Sequence, residues 1–304
     1  MDMKKPIIVL TGPTAVGKTE ISIELAKAAG GEIISADSMQ VYKQMDIGTA
    51  KIKKEQMQGV THYMIDEWNP DEEFNVMIFQ KRVKEIMEDI YNRGKIPILV
   101  GGTGFYIQAV LNDIAFTKEK GDSYLHHELQ KVDKESAEAI HPNNIKRVIR
   151  ALEYFQSTGQ KFSDHNKEER QKGSPYNFLY LVLTMNRKVL YERIDKRVDQ
   201  MMEEGLVKEV KQLLDAGYSR NLVSMQGLGY KEIASALFHE CTMEEAVYRL
   251  KRDTRHFAKR QMTWFRRERD VTMIDKDNFL NNHEIVNYIM KLAAEKGICS
   301  CREG

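Results

Sequence analysis

Cysteine is scarce in this chain. Cys241, Cys299 and Cys301 are odd in number and lack zinc-ligand spacing, which excludes a disulfide framework and a zinc module and leaves free thiols in a reducing compartment. Charge of one sign is lacking too: 46 Lys and Arg against 45 Asp and Glu leave a net charge of +1. The chain as a whole therefore advertises no polyanionic partner, and any nucleic-acid signal has to be local. No apolar run approaches the roughly 20 residues a membrane-crossing helix needs. Only four apolar residues follow the opening Met1-Asp2-Met3-Lys4-Lys5-Pro6, too few for a secretion signal, so a cytoplasmic protein is expected. Internal repeats and low-complexity tracts are missing as well.

What the chain does have is length, apolar strands and helical periodicity. Its 304 residues suffice for one large domain or two moderate ones. Ile7-Ile8-Val9-Leu10 runs into Thr11-Gly12-Pro13, and Glu20 to Ala29 follows with helical spacing, which reads as strand, glycine loop and helix. Further strands are predicted at Glu32 to Ser35, at Ile96 to Val100 after a helical pattern over Phe74 to Tyr91, and at Asn177 to Thr184. Continuous apolar strands alternating with helices predict an α/β fold with a parallel sheet covered on both faces. Between Phe116 and Tyr176 the chain turns polar, with helical periodicity over Ile145 to Phe155 and no convincing strand. The expected organisation is a core of residues 1–115 and 176–304 with a helical insertion, or lid, at 116–175. From Lys188 the pattern is helical almost to the end, broken at Gly205, Gly217 and Gly227-Leu228-Gly229.

Gly12-Pro13-Thr14-Ala15-Val16-Gly17-Lys18-Thr19 fits the P-loop pattern G-x-x-x-x-G-K-[ST] in full, and it lies between a strand and a helix as that motif requires. Backbone N–H groups of such a loop and the positive end of the following helix surround an anion. Lys18 would neutralise phosphate oxygens, and the Thr19 hydroxyl would ligate Mg²⁺. The loop alone says only that a phosphorylated ligand binds.

The second strand delivers Asp37-Ser38 to the carboxyl edge of the sheet. A carboxylate there can act as general base or position a metal; the plainer account is a cap on the next turn. After the third strand, Gly101-Gly102-Thr103-Gly104 stands where many ATPases place an acidic residue, so no hydrolytic apparatus is evident. Glycines there admit a backbone or a flat ligand, and Thr103 could hydrogen-bond a substrate. The hidden basic signal lies near the C-terminus. Arg249, Lys251, Arg252, Arg255, Lys259, Arg260, Arg266, Arg267 and Arg269 face only Asp253 and Glu268 in sequence, with His256, Phe257, Trp264 and Phe265 interleaved. That mixture suits RNA phosphates and unstacked bases, and it also suits a solvated helix face over a buried aromatic stripe. A second basic stretch is Lys146-Arg147-Val148-Ile149-Arg150.

Taken together, GPTAVGKT (12–19), ISADSMQVYKQMDIGTAK (34–51), VGGTGFYIQAVL (100–111), IHPNNIKRVIRALE (140–153), RIDKRVDQMMEEGL (193–206), QGLGYKE (226–232) and KRQMTWFR (259–266) closely resemble, in order, the bacterial tRNA dimethylallyltransferases, or tRNA isopentenyltransferases. The resemblance implies a P-loop NTPase-like fold whose loop holds dimethylallyl diphosphate, although such loops are commonly labelled ATP sites. It implies transfer of the dimethylallyl group to the exocyclic N6 amine of the adenine at tRNA position 37, flipped into a channel whose other end admits the donor. Asp37 would take the amine proton while Lys18, Thr19, Mg²⁺ and the loop amides stabilise the leaving diphosphate, and Arg197 is a further phosphate contact. Asp37, Ser38, Met39, Gln40 and Thr103 would meet the flipped base and its neighbours. Lys146 to Arg150 and Gln226, Gly227, Leu228, Gly229, Tyr230 and Lys231 would meet the anticodon arm. The chain departs from the family by crossing from Phe116 to Leu125 in a few residues where relatives carry a longer helical stretch. The competing readings are a P-loop nucleotide or nucleoside kinase, an adenylate prenyltransferase, and a non-catalytic RNA-binding module. A monomer is expected.

Overall fold

The computed structural model describes residues 4–114, 126–140, 145–165 and 173–299. The shortened crossing from Phe116 to Leu125 lies outside them. Residues 1–107 and 176–304 make one compact unit and residues 108–175 another.

In the larger unit β1 (Lys5–Thr11), β2 (Gly31–Ala36), β3 (His62–Tyr63), β4 (Ile96–Gly101), β5 (Tyr176–Thr184) and β6 (Val271–Asp275) form one sheet in the order β3-β2-β4-β1-β5-β6. Every pairing is parallel. Ile7, Ile8, Val9 and Leu10 of β1 are all 0% exposed, because a central parallel strand covered on both faces must be apolar without alternation. On one face α1 (Lys18–Ala29) packs against α11 (Asn282–Glu295), sharing a core of Ile21, Leu25, Ile285 and Ile289. Helix α2 (Val76–Asn92) packs against β4, with its N-terminus capped by Asn75 through the N–H groups of Met77 and Ile78.

Two strands escape the sequence pattern. β3 is only two residues long, and β6 was expected to be helical. As an edge strand, β6 buries Ile274 alone and exposes Met273 and Asp275, so no apolar run announces it.

Register decides where chemistry can happen. Thr11 is level with Gly101, and Gly101 with Ala36, so the carboxyl ends of β1, β4 and β2 emerge side by side. β1 lies between β4 and β5, at the point where successive crossovers change direction, the position at which open α/β sheets bind their ligands. Beyond the sheet run α7 (Arg187–Glu204), α8 (Leu206–Asp215), α9 (Tyr230–Leu237) and α10 (Met243–Phe265). Gly205, at φ 102°, ends α7 and starts α8, a backbone conformation that side-chain-bearing residues adopt at a cost.

The smaller unit takes in α3 (Gly104–Leu111) from Gln108 onward, α4 (His126–Val132), α5 (Lys134–Ala139) and α6 (Ile145–Thr158). Leu129, Ala137, Ile140, Val148, Ala151 and Leu152 form its core. Buried Asp133 ties it together, accepting from the N–H of Ser136 at 3.0 Å and of Ser163 at 2.7 Å.

At the amino edge of the sheet, Glu32 accepts from Arg93 at 2.5 and 2.7 Å, from Lys95 at 2.7 Å and from Tyr63 at 2.8 Å. Chiefly because of Arg93, its carboxyl is lowered to about 2. A depressed folded-state value means stabilisation that is present above the unfolded value and is lost as pH falls towards 2. We expect Glu32→Gln to cost about 2 kcal/mol at pH 7 in urea unfolding, the gap from wild type narrowing between pH 5 and 2. A gap independent of pH would contradict this assignment.

Candidate functional site

The P-loop is shaped by backbone that side chains disfavour. Gly12 has φ 147° and would drive a Cβ to 2.6 Å from the carbonyl of Leu183, and Gly17 has φ 93°. Ala15 also sits at positive φ, 64°, which completes the curl. No side chain caps α1, and among the described residues no hydrogen bond occupies the N–H groups of Ala15, Gly17, Lys18 and Thr19. They form an anion cradle at a helix N-terminus.

Around the cradle stand cations. Lys18 Nζ donates to the carbonyls of Gly12 and Pro13, each at 2.9 Å. Burial pulls its pKa down to about 8, with Arg197 pushing the same way and Asp37 opposing. Arg197, lowered mainly by burial, reaches the Thr14 hydroxyl at 3.4 Å. One turn earlier on α7, Arg193 donates to the Ala15 carbonyl at 2.9 Å, and Lys276 from the end of β6 donates to Val16 at 3.2 Å. Sequence reading had Lys18 and Arg197 but missed Arg193 and Lys276. The i, i+4 spacing of Arg193 and Arg197 was the available signal for the first; nothing local marks the second.

Asp37 makes the turn cap considered for it. Its Oδ1 accepts from the N–H of Met39 at 2.9 Å and of Gln40 at 3.4 Å, a turn cap. No hydrogen bond is made by the other oxygen among the described residues. The cap fixes the carboxylate and leaves one oxygen for a ligand. Beside it, Thr103 donates its N–H to Ala36 at 3.2 Å, which brings the Gly101–Gly104 turn against the Asp37 turn. Tyr106, another residue the sequence did not flag, is pushed up to about 12 by burial first, then by Tyr42 and Asp37.

The glycines after β4 admit side chains of this protein. A Cβ on Gly102 would lie 2.2 Å from Gln261 Nε2, and one on Gly104 2.3 Å from the Trp264 ring. Gln261, buried on α10, accepts from the Thr14 N–H at 2.9 Å and donates to the Gly102 carbonyl at 3.0 Å. One amide thus joins the P-loop, the glycine turn and the C-terminal helix. A cavity of about 650 Å³ adjoins Arg197, walled by Ile47, Met57, Ile65 and Met201 and by charged residues such as Lys53 and Asp66.

The remaining expected RNA contacts sort by burial. Ser38, Met39, Gln40, Thr103, Gly227 and Leu228 are partly buried, and Gln226, Lys231 and Arg150 are exposed. Met39 packs on the 226–231 turn, its Cε 2.5 Å from where a Gly227 Cβ would be. Tyr230 and Val148 are corrections. Tyr230 is 0% exposed and donates to Glu209 at 2.7 Å, and Glu209 also accepts the N–H groups of Asp46, Ile47 and Gly48. Val148 is a core residue of the smaller unit; Gly229 is buried, and Ile149 is half-buried. The side chains of Lys146 and Arg147 lie outside the described residues. The basic helix needs correction too. Lys251 pairs with Asp199 at 2.6 Å and Arg255 with Asp195, so these two tie α10 to α7. Lys259, Arg260, Arg266, Arg267 and Arg269 stay exposed around Trp264.

A parallel sheet, a P-loop at its switch point and a carboxylate within the field of two half-buried cations define an enzyme of the P-loop class that handles a phosphorylated ligand. The IPP transferase family profile matches residues 40–268, and the chain belongs to that family. A tRNA dimethylallyltransferase of Lachnoclostridium phytofermentans is 57% identical, covering 97% of this chain and 99% of that one. Its counterpart from Acetivibrio thermocellus is 48% identical over 96% of this chain and 98% of the other. Among solved structures, the tRNA isopentenylpyrophosphate transferase of Bacillus halodurans is 45% identical, with a TM-score of 0.76 over 97% of this chain and 98% of that one. A eukaryotic dimethylallyltransferase captured acting on tRNA is 30% identical, with a TM-score of 0.83 over 97% of this chain and 84% of that one.

Replacing Gln261 with Leu leaves the Thr14 N–H and the Gly102 carbonyl without partners. We expect about tenfold weaker binding of inorganic diphosphate by calorimetry, equivalent to about 1.4 kcal/mol. Wild-type affinity would show that the bridge does not hold the cradle.

Proposed function

We propose that this enzyme transfers a dimethylallyl group from dimethylallyl diphosphate to N6 of the adenine at position 37 of tRNA, releasing diphosphate. The observation that carries the reading is the single free oxygen of Asp37, at the carboxyl edge of the sheet and within the field of Lys18 and Arg197. Those cations and the open amides suit a departing diphosphate, and the cavity beside Arg197, walled by charged as well as apolar side chains, has room for a small branched hydrocarbon. The amine nitrogen attacks the allylic carbon, the carbon–oxygen bond to diphosphate breaks, and Asp37 takes the amine proton. Electrons of the broken bond leave with the diphosphate, where the amides, Lys18, Arg197, Arg193 and Lys276 balance its charge.

Magnesium fits on stated terms. Among the described residues no three His, Cys, Asp or Glu side chains converge, so a protein-only cage is not the arrangement. The Thr19 hydroxyl is exposed and makes no hydrogen bond among those residues, which suits an ion that keeps waters and shares the ligand's phosphate oxygens. When bound, it would supply further charge neutralisation. The insertion of residues 116–175 and the exposed side of α10 would hold the anticodon arm. We place the enzyme in the cytoplasm as a monomer; no helix among the described residues is long and apolar enough to cross a membrane.

The direct test incubates the protein with dimethylallyl diphosphate, Mg²⁺ and unmodified tRNA carrying adenine at position 37. A prenylated adenosine is expected on nucleoside analysis, and its absence would sink the proposal. Asp37→Ala should retain RNA affinity and lose about 10² to 10⁴ in single-turnover rate. An unchanged rate rejects Asp37 as the base. Exchanging Arg266 and Arg267 for Gln should weaken RNA binding and reduce its salt slope by about 1 to 2. Arg255→Gln should act mainly on stability. Equal salt slopes for wild type and the Arg266/Arg267 variant would remove that stretch from the RNA interface.

A further inference from the structure

Tyr106 stands in the first turn of α3, three residues beyond Thr103. Its N–H donates to the Thr103 carbonyl at 3.0 Å, and the Thr103 N–H donates in turn to Ala36 at 3.2 Å. The start of α3 is thereby seated against the residue that precedes Asp37. Two buried phenylalanines fix the Tyr106 ring: Phe79 lies 4.7 Å from it, tilted by 36°, and Phe74 6.1 Å from it, edge on.

Ring and hydroxyl are placed to different ends. The hydroxyl makes no hydrogen bond among the described residues, and it is not one of the fully buried polar atoms that go unpaired. It faces open space. Burial first, then Tyr42 and Asp37, raise the phenol to about 12, so it keeps its proton through the neutral range and serves as a donor. Asp37 thus acts on this hydroxyl without bonding it, and one Asp37 oxygen is itself unused.

An anchored O–H donor beside a free carboxylate oxygen is a pattern with a chemical complement. The exocyclic amine of adenine is a donor, and the ring carries an acceptor nitrogen on either side of it, N1 and N7. An amine proton on Asp37 and the neighbouring nitrogen on the phenol would satisfy both groups together. Guanine would instead set a carbonyl oxygen against the carboxylate. Paired readout of this kind selects strongly, because the wrong base leaves polar groups of the site without partners.

We propose that Tyr106 is a further specificity-determining residue, whose hydroxyl donates to the ring nitrogen beside the amine of the target adenine while Asp37 accepts from the amine. The proposal rests on the transferase reading above and deepens its acceptor site.

The test measures binding by fluorescence anisotropy for wild type and Tyr106→Phe. The probes are anticodon-hairpin RNAs whose target base is adenine, 1-deazaadenine or 7-deazaadenine; each deaza base keeps the amine and lacks one of the two acceptors. Affinity is read because loss of a ring nitrogen also alters the reactivity of the amine. Wild type should bind one of the deaza hairpins about tenfold more weakly than the adenine hairpin. Tyr106→Phe keeps the ring against Phe74 and Phe79. It should bind the adenine hairpin about tenfold more weakly, with no further loss on that deaza hairpin.

Equal wild-type affinity for all the hairpins overturns the proposal without reference to any variant. A Tyr106→Phe ratio between adenine and deaza hairpins that matches wild type also overturns it, since another group would then bond the nitrogen. Wild-type affinities with a slower single turnover in Tyr106→Phe would assign the phenol to Asp37 and reject base readout. Prenylation of the adenine hairpin is scored separately. Its failure would count against the transferase reading, while the affinity ratios would still report on Tyr106.

Discussion

Everything at this site follows from positive charge gathered around one loop. Lys18 and Arg197 are half-buried, and Arg193 and Lys276 press on the loop from two other directions. Loop carbonyls satisfy the hydrogen bonds of Lys18, Arg193 and Lys276, yet a carbonyl dipole does not cancel a full charge. Asp37 is the carboxylate that favours the charged forms of Lys18 and Arg197, and Glu20 does so for Lys276. Withdrawing cations even partly from water with so little compensation is costly and is tolerated where an anion is to be bound. The low pKa of Lys18 records this imbalance, and a diphosphate would reverse it.

That charge is useful only if the loop keeps its shape, and the sheet and α10 share the task. The common level of Thr11, Gly101 and Ala36 sets three loops abreast. Gln261 then closes the arrangement from above by occupying the Thr14 N–H and the Gly102 carbonyl. The same helix turns Lys259, Arg260 and Trp264 outward. Seating RNA on that outer face would load the helix whose inner face holds the cradle.

How much of this was legible depends on sequence distance. The P-loop and the Asp37 turn are local patterns, and both stand where strand–loop–helix reasoning put them. Arg193, Lys276 and Gln261 reach the loop from far along the chain, and no spacing rule joins them to it. The glycines after β4 were read correctly as a place of close approach. What approaches is Gln261 and Trp264, partners that a one-dimensional pattern cannot name. The basic stretch misled for a related reason. Its sequence neighbours hold only two acids, but Asp195 and Asp199 of α7 neutralise Arg255 and Lys251 across a helix–helix contact. β6 was missed because an edge strand with one buried side chain carries almost no hydrophobic signal.

Family motifs mix contact with support, and the 226–232 segment shows how. Gln226 and Lys231 face solvent, whereas Tyr230 points inward to Glu209, whose carboxylate clamps the backbone of Asp46, Ile47 and Gly48. Gly48 must itself be glycine, since a Cβ there would meet the Tyr230 ring at 2.5 Å. The same clamped loop leads to Lys51, whose buried ammonium binds the Tyr42 carbonyl, Asp46 and Asp66. Two sequence motifs more than 150 residues apart are therefore one buried polar network, with Glu209 accepting from both. With its members satisfied, this network holds the Asp46–Gly48 backbone against Tyr230. On the proposed function this rigidity would serve the chemistry. A flipped base would gain from Asp37 only if the carboxylate and the turn that caps it did not move when RNA arrived, because misplacement of a base by about 1 Å can cost a hundredfold in rate.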